Sequence, residues 1–191
     1  MEKETQGTTP SVVRIVITGP ESTGKSTLTR QLAEYFGTLY IPEYARTYVE
    51  QLHREYTYAD IEHIARTQVQ QLAAYTARAR KFLFLDTYLI ITKVWFDVVY
   101  QRHPAWIDDE ISKHDIGLYL LCNTDIPWEA DPVRENGGAR REALYEQYKK
   151  ELEQNGCRYA VVEGLGEHRL QNAVWHVRSF LKNYKHGRTE I

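Results

Sequence analysis

One short stretch, residues 19–26, constrains this chain more than any other. Its sequence, Gly-Pro-Glu-Ser-Thr-Gly-Lys-Ser, fits the pattern G-x-x-x-x-G-K-[ST] of a phosphate-binding P-loop at every fixed position. The β-branched run from Val12 to Thr18 precedes it and predicts a buried strand. After the loop, apolar residues recur on one face of a predicted helix, at Leu28, Leu32, Tyr35 and Phe36. The loop therefore stands between a strand and a helix, which is the context that the motif requires.

The residues of this loop predict how a triphosphate is bound. Gly19 and Gly24 allow backbone dihedrals that a Cβ would hinder, so successive N–H groups can face a phosphate. The helix N-terminus adds unpaired donors and partial positive charge. We expect Lys25 to reach the β- and γ-phosphates of ATP and the Ser26 hydroxyl to bind Mg²⁺. The predicted nucleotide-binding set is Gly19, Glu21, Ser22, Thr23, Gly24, Lys25, Ser26, Thr27 and, further along the chain, Arg140.

Strand-like and helix-like segments alternate along the rest of the chain. Further strands are predicted at Thr38–Pro42, Lys81–Asp86, Ile116–Cys122 and Arg158–Glu163. This alternation predicts an α/β fold of the P-loop NTPase type, a three-layer sandwich. Its five-stranded sheet should be mainly parallel, with helices on both faces and a lid segment. Ligands of such sheets bind beyond the C-terminal ends of the strands.

Length and charge bound the organisation of the chain. Its 191 residues suit one well-buried domain at residues 11–184, with a lid at about 123–141, a disordered tail at 1–10 and a frayed C-terminus at 185–191. The net charge of -2 gives no electrostatic footprint for nucleic acid or an anionic membrane. No apolar run is long enough to span a membrane. We expect a cytoplasmic protein whose two cysteines are small buried hydrophobes, and the oligomeric state stays open.

Two acids lie at the C-terminal ends of predicted strands: Asp86 is the last residue of one strand, and Glu43 comes just after another. Asp86 could hold Mg²⁺ directly or through water, or cap the next helix, and the two roles can coexist. Glu43 could take a proton from a substrate hydroxyl as that hydroxyl attacks the γ-phosphate. It could also be a surface acid or a cap for the helix beginning at Tyr44. Arg46 lies on the same side of that helix and could hold a substrate or pair with Glu43.

The predicted lid is rich in Asp, Pro, Asn and Gly and carries three arginines, one tryptophan and a glycine pair. Arginines near a transferring phosphoryl group neutralise the charge that spreads onto its oxygens. The alternative is a solvated loop whose arginines pair with neighbouring glutamates. We favour catalysis for Arg134. For Arg140 and Arg141 both interpretations stay open, and one of the two could stack on adenine.

Four segments occur in an order that resembles the nicotinamide riboside kinase domain of NadR-type NAD-biosynthesis proteins. They are GPESTGKST at 19–27, EYARTYV at 43–49, LDT at 85–87 and PWEADPVR at 127–134. The resemblance covers about residues 11–184 and implies a single P-loop kinase-like domain. It further implies Mg²⁺- and ATP-dependent phosphorylation of a riboside 5′-hydroxyl, giving nicotinamide mononucleotide and ADP. By position, the resemblance supports Lys25 and Ser26 on the nucleotide and the metal, Asp86 near Mg²⁺, and Arg134 in the lid. Together with Glu43, the predicted catalytic set is Lys25, Glu43, Asp86 and Arg134, and the acceptor hydroxyl could be activated by Glu43 or by Asp86.

Two positions depart from that family. Its members tend to have an aromatic residue before the glutamate and a second acid two residues after the strand-end aspartate, whereas this chain has Pro42 and Tyr88. Tyr40, Tyr44 and Tyr88 could supply a stacking face instead. The predicted residues for a nucleoside-like substrate are Tyr44, Arg46, Tyr88, Trp128 and Asp131.

Nothing in the sequence resembles a nucleotidyltransferase motif or a DNA-reading helix-turn-helix, so we expect no adenylylation and no nucleic-acid partner. Two other function classes stay open: a P-loop ATPase that acts as a nucleotide-dependent switch, and a binding module without turnover. The pairing of an acid at Glu43 with an arginine-bearing lid favours the kinase.

Overall fold

The computed structural model describes residues 12–128 and 139–186. Its five strands are β1 (Val13–Thr18), β2 (Leu39–Ile41), β3 (Phe82–Asp86), β4 (Leu118–Cys122) and β5 (Tyr159–Val162). They form one sheet in the order β2-β3-β1-β4-β5, and every pairing between them is parallel. The predicted α/β fold with a five-stranded parallel sheet is confirmed.

Seven helices occur in the described residues: α1 (Lys25–Phe36), α2 (Tyr44–Gln51), α3 (Tyr58–Thr76), α4 (Leu89–Tyr100), α5 (Ala105–Ser112), α6 (Ala139–Gln154) and α7 (Gly166–His186). Local signals set several of their ends. At the start of α3, the Thr57 N–H donates to Asp60 Oδ2 at 2.7 Å within a capping box. At the end of α1, Gly37 adopts the left-handed conformation common in C-caps.

The core forms two apolar layers, one on each face of the sheet. Because successive strand residues point to opposite faces, β1 contributes Ile15 and Ile17 to one layer and Val16 to the other. The layer around Ile15 and Ile17 packs against α1 and α7. The layer around Val16 packs against α3, α4, α5 and α6. The sheet is therefore covered on both faces, as the predicted three-layer sandwich requires.

The strand order places β1 at the centre of the sheet, between β3 and β4. In the parallel register Ile17 lies beside Asp86, and Thr18 lies beside Leu121. The segments that follow β1, β2, β3 and β4 consequently all emerge at the C-terminal end of the sheet. Ligands of open parallel sheets bind at that end.

Some boundaries differ from the sequence prediction. Helix α6 begins at Ala139, so residues 139–141 of the predicted lid are helical, and α7 continues through His186 into the segment predicted to fray. The predicted tail and most of the lid, with Asp131 and Arg134, lie outside the described residues. Within the described residues, no helix has both the length and the apolar character needed to cross a bilayer. Both cysteines are free thiols; Cys122 is buried, whereas Cys157 is only half-buried.

Candidate active site

The P-loop connects β1 to α1 through three residues with positive φ. These are Gly19 at +134°, Ser22 at +55° and Gly24 at +74°. A Cβ built on Gly19 would lie 2.8 Å from the Cys122 carbonyl oxygen of the neighbouring strand. Gly19 is thus required twice, by its dihedral angle and by the close approach of β4.

Lys25 is the first residue of α1, and its side chain folds back along the loop. Its Nζ donates a hydrogen bond to the Pro20 carbonyl oxygen at 2.7 Å, and Lys25 is only 9% exposed. The Thr23 hydroxyl donates to the same carbonyl at 2.8 Å. Ser26 and Thr27 are exposed on the same helical turn. The ammonium group and the loop N–H groups therefore lie within one short segment, as anion binding at a helix N-terminus requires.

Two buried arginines lie behind the loop. Arg141 of α6 donates to the carbonyl oxygens of Glu21 at 3.1 Å and Ser22 at 3.0 Å. Arg169 of α7 donates to the Thr23 carbonyl oxygen at 3.0 Å and to Asp125 Oδ1 at 2.7 Å. These bonds join the loop to helices that come much later in the chain.

A cleft of about 420 Å³ opens beside the loop and has a mixed lining. Its polar or glycine lining consists of Gly19, Glu21, Lys25, Glu43, Arg46 and Arg140. Its apolar and aromatic lining includes Val49, Tyr56, Ile91, Val94, Trp95, Val98, Val99 and Leu144. The Tyr56 and Trp95 rings meet edge to face with centroids 4.8 Å apart. A molecule that combines a flat ring with polar groups matches this mixed lining.

Glu43 occupies the N-cap position of α2, but its side chain makes no capping hydrogen bond in the described part of the chain. The residue is half-buried and lines the cleft together with Lys25. Tyr148 of α6 lies in the same cleft; burial, with the carboxylates of Glu21 and Glu43, raises the pKa of its phenol. The structure therefore brings the predicted acid and the P-loop lysine into one cavity.

Asp86 ends β3 and is 4% exposed. The next residue, Thr87, turns away with φ of +68°, a value rare for a β-branched side chain, and its N–H donates to the Ile17 carbonyl at 3.0 Å. No cluster of three or more His, Cys, Asp or Glu side chains suited to a metal occurs among residues 12–128 and 139–186. Mg²⁺ in nucleotide sites needs no such cluster, because phosphates and water complete its shell. The Asp86 carboxylate and the exposed Ser26 hydroxyl are oxygen donors of the kind that such a site uses.

The four predicted substrate residues that the structure describes lie in different environments. Arg46 lines the cleft, and its Nε donates to Glu50 Oε1 at 2.9 Å, one helical turn away. Tyr44 contacts His63 through its hydroxyl, at 3.1 Å from Nε2, and Tyr88 is buried in the core, which raises its pKa. Neither Tyr44 nor Tyr88 is among the residues that line the cleft. Trp128 is 38% exposed at the last described position before residue 129.

Sequence reasoning did not nominate several residues of the site. Trp95 and Tyr148 lie on predicted helices whose apolar spacing is explained by packing in the core. The spacing alone therefore does not indicate that either residue lines the cleft. Tyr56 precedes a helix start and had no motif around it. Arg141 was one of two lid arginines whose roles stayed open, and Arg169 lies in the predicted final helix without any distinguishing pattern. Their roles depend on contacts across the fold.

The comparisons with known proteins agree with this geometry. The sequence profile of the AAA domain family matches residues 14–169. The chain belongs to that family. It is also 30% identical over 162 residues to the trifunctional NAD biosynthesis/regulator protein NadR of Escherichia coli, covering 81% of this chain and 39% of that protein. The resemblance to NadR-type proteins is thereby confirmed.

Solved structures show the same fold. A crystal structure of a NadR protein in complex with NR matches with a TM-score of 0.76 at 21% identity, over 89% of this chain and 51% of that one. Deoxyadenosine kinase from M. mycoides, solved with its products, matches with a TM-score of 0.62 at 15% identity, over 87% of this chain and 100% of that one. The chain thus spans about two fifths of the curated relative and about half of the NadR structure.

Proposed function

We propose that this protein is an ATP-dependent kinase that phosphorylates the 5′-hydroxyl of a riboside, with nicotinamide riboside as the leading acceptor. The observation that carries the proposal is that Lys25 and Glu43 line the same cleft as the aromatic side chains of Tyr56 and Trp95. A small acceptor bound in this cleft would have its ring beside Trp95 and its hydroxyl towards the P-loop.

Support for the acceptor class comes from the relatives. The curated relative is a NAD biosynthesis protein, and the NadR structure is described as a complex with NR. A deoxyadenosine kinase shares the fold over its whole length. A riboside combines a flat ring with a polar sugar, so it suits the mixed lining of the cleft.

The polar groups of the site have distinct tasks in this proposal. The loop N–H groups and Lys25 hold the β- and γ-phosphates of ATP. Glu43 accepts the proton of the attacking hydroxyl, provided that the hydroxyl comes within hydrogen-bond reach. Arg140 lines the cleft and is proposed to contact the nucleotide.

Mg²⁺ is proposed to bind at Ser26 and Asp86, where it would neutralise charge on the phosphates. Arg134 and Asp131, both outside the described residues, keep their predicted roles: Arg134 at the transferring phosphoryl group and Asp131 at the substrate. A cytoplasmic location also stays part of the proposal.

The test is turnover of purified protein with ATP, Mg²⁺ and a panel of ribosides, with products separated by chromatography. We expect riboside 5′-phosphate and ADP in equal amounts, most rapidly with nicotinamide riboside. ADP without any phosphorylated riboside would refute the kinase. Hydrolysis of ATP stimulated by a macromolecule but not by ribosides would indicate the nucleotide-dependent switch instead.

A Glu43→Gln variant separates the chemical step from binding. We expect its kcat to fall by about 10²- to 10⁴-fold, the usual contribution of a general base. Its Kd for ATP should stay close to that of the wild type, because the loop and Lys25 are unchanged. Glu34→Gln is the control, since Glu34 is an exposed acid near the end of α1 and lies outside the cleft lining, so its kcat should equal that of the wild type.

A further inference from the structure

The carbonyl oxygens of the P-loop are held by side chains on the side away from its N–H groups. Pro20, Glu21, Ser22 and Thr23 are consecutive, and the carbonyl of each accepts a hydrogen bond from a side chain. The donors are the Lys25 ammonium and Thr23 hydroxyl for Pro20, Arg141 for Glu21 and Ser22, and Arg169 for Thr23. Four successive peptide groups of the loop are thus fixed through their oxygens.

This arrangement determines where the N–H groups point. In a planar trans peptide the C=O and N–H bonds point in opposite directions. Fixing the Glu21 and Ser22 carbonyls against Arg141 therefore directs the N–H groups of the next residues, Ser22 and Thr23, to the other side. It also keeps two carbonyl dipoles from turning their negative ends toward a bound phosphate.

The two arginines differ in charge balance. Arg169 has Asp125 as an ionic partner at 2.7 Å, so much of its charge is neutralised locally. Arg141 is 5% exposed, and its described acceptors are three backbone carbonyls, of Glu21, Ser22 and Ile126. Burial lowers the pKa of Arg141, but a guanidinium remains protonated in proteins. Its positive charge thus lies directly behind the loop.

We propose that Arg141 is a positioning residue for the triphosphate: it fixes the Glu21 and Ser22 carbonyls away from the cradle and adds a buried positive charge behind it. The inference rests on the proposed binding of ATP to the P-loop and is independent of the acceptor. Arg141 acts through the loop backbone and the electric field. Its removal should therefore weaken ATP binding more than acceptor binding.

The test measures the Kd of Mg-ATP by calorimetry for the wild type, Arg141→Gln and Arg141→Lys. We expect Arg141→Gln to raise this Kd by about 10- to 100-fold, because it removes a charge and charge-assisted hydrogen bonds. The Kd of Arg141→Lys should lie between those of the wild type and Arg141→Gln, because lysine keeps the charge but lacks the planar guanidinium that reaches several carbonyls. The KM for the riboside should change by less than about twofold in both variants, a split between substrates that a general loss of structure would not produce.

Two variants on the same helix serve as controls. Lys150→Gln removes an exposed charge of α6, and its Kd for ATP should equal that of the wild type. Glu151→Gln breaks an ion pair with Lys93 at 2.7 Å and should lower stability without contact to the loop. At a temperature where both are folded, Glu151→Gln should bind ATP normally, whereas Arg141→Gln should not.

A Kd for Arg141→Gln within about twofold of the wild type would overturn the inference, as would equal losses of ATP affinity in Arg141→Gln and Glu151→Gln. If Arg141→Gln does not fold, Arg141→Lys decides, and an unchanged Kd in that variant overturns the inference. Failure of the wild type to bind Mg-ATP would refute the proposed function as well. If the wild type binds Mg-ATP and both Arg141 variants bind it equally well, only the proposed role of Arg141 is refuted.

Discussion

Replacing Gly19 by alanine should impair ATP use far more than it impairs folding. The added Cβ would lie 2.8 Å from the Cys122 carbonyl oxygen, about 0.6 Å inside the 3.4 Å at which ordinary contact begins. The φ of +134° adds a strain of about 1–3 kcal/mol for a residue with a Cβ. The loop is the part that can yield, because β4 is buried in the sheet.

Displacement of the P-loop is expected to lower kcat/KM for ATP by about tenfold or more, since a 1 Å misplacement near a reacting group can lower the rate by about 10²-fold. Steady-state kinetics with varied ATP measures this loss, and thermal denaturation follows the fold. Gly37→Ala is the matched control, because Gly37 has φ of +60° but no non-neighbouring heavy atom of the described residues within 4 Å of the new Cβ. It should cost about 1–2 kcal/mol of stability and leave ATP kinetics unchanged. A Gly19→Ala variant with wild-type kcat/KM for ATP would refute the argument from close approach.

Three further outcomes are expected. Trp95→Ala should raise the KM for the riboside about tenfold and leave the KM for ATP unchanged, because Trp95 lines the cleft. An unchanged riboside KM in steady-state assays would contradict a contact between the riboside ring and Trp95. Lys93→Met should lower the free energy of unfolding by about 3–5 kcal/mol in urea titrations, because it leaves the buried Glu151 carboxylate without its cation; a loss below about 1 kcal/mol would speak against this. Burial lowers the pKa of His103, but its hydrogen bonds to two aspartates outweigh burial and raise the pKa above its ordinary 6.5. The wild type should therefore have a higher free energy of unfolding than His103→Asn below about pH 6.5, and this difference should shrink as the pH rises through the raised pKa of the folded state. A difference in unfolding free energy that does not depend on pH would contradict this expectation.

The sequence predicted those parts of the fold that depend on local chemistry. The P-loop was recognisable because its glycines are required by dihedral angle and by close packing, and Gly19 meets both requirements. The capping box at Thr57 and Asp60 likewise marks the start of α3 through a contact between near neighbours. The alternation of strands and helices then allows only a few sheet topologies, because crossover connections between parallel strands are almost always right-handed.

Contacts between distant segments could not be predicted in the same way. Arg141 reaches carbonyls 119 and 120 residues earlier in the chain, and no spacing rule connects such positions. Trp95 lies on a helix whose apolar pattern is accounted for by packing, so its place in the cleft left no separate mark. Tyr88 is 4% exposed and lines a small pocket with Tyr44 and Asp86, apart from the lining of the main cleft, and its contact with a substrate stays a prediction.

The most direct test of the central claim is a crystal structure with a non-hydrolysable ATP analogue, Mg²⁺ and nicotinamide riboside. We predict that the triphosphate occupies the loop between Gly19 and Ser26 and that the ring lies against Trp95. The 5′-hydroxyl should lie about 2.6–3.2 Å from the Glu43 carboxylate and in line with the γ-phosphate. A riboside bound outside this cleft, or with its hydroxyl directed away from Glu43, would contradict the proposed kinase.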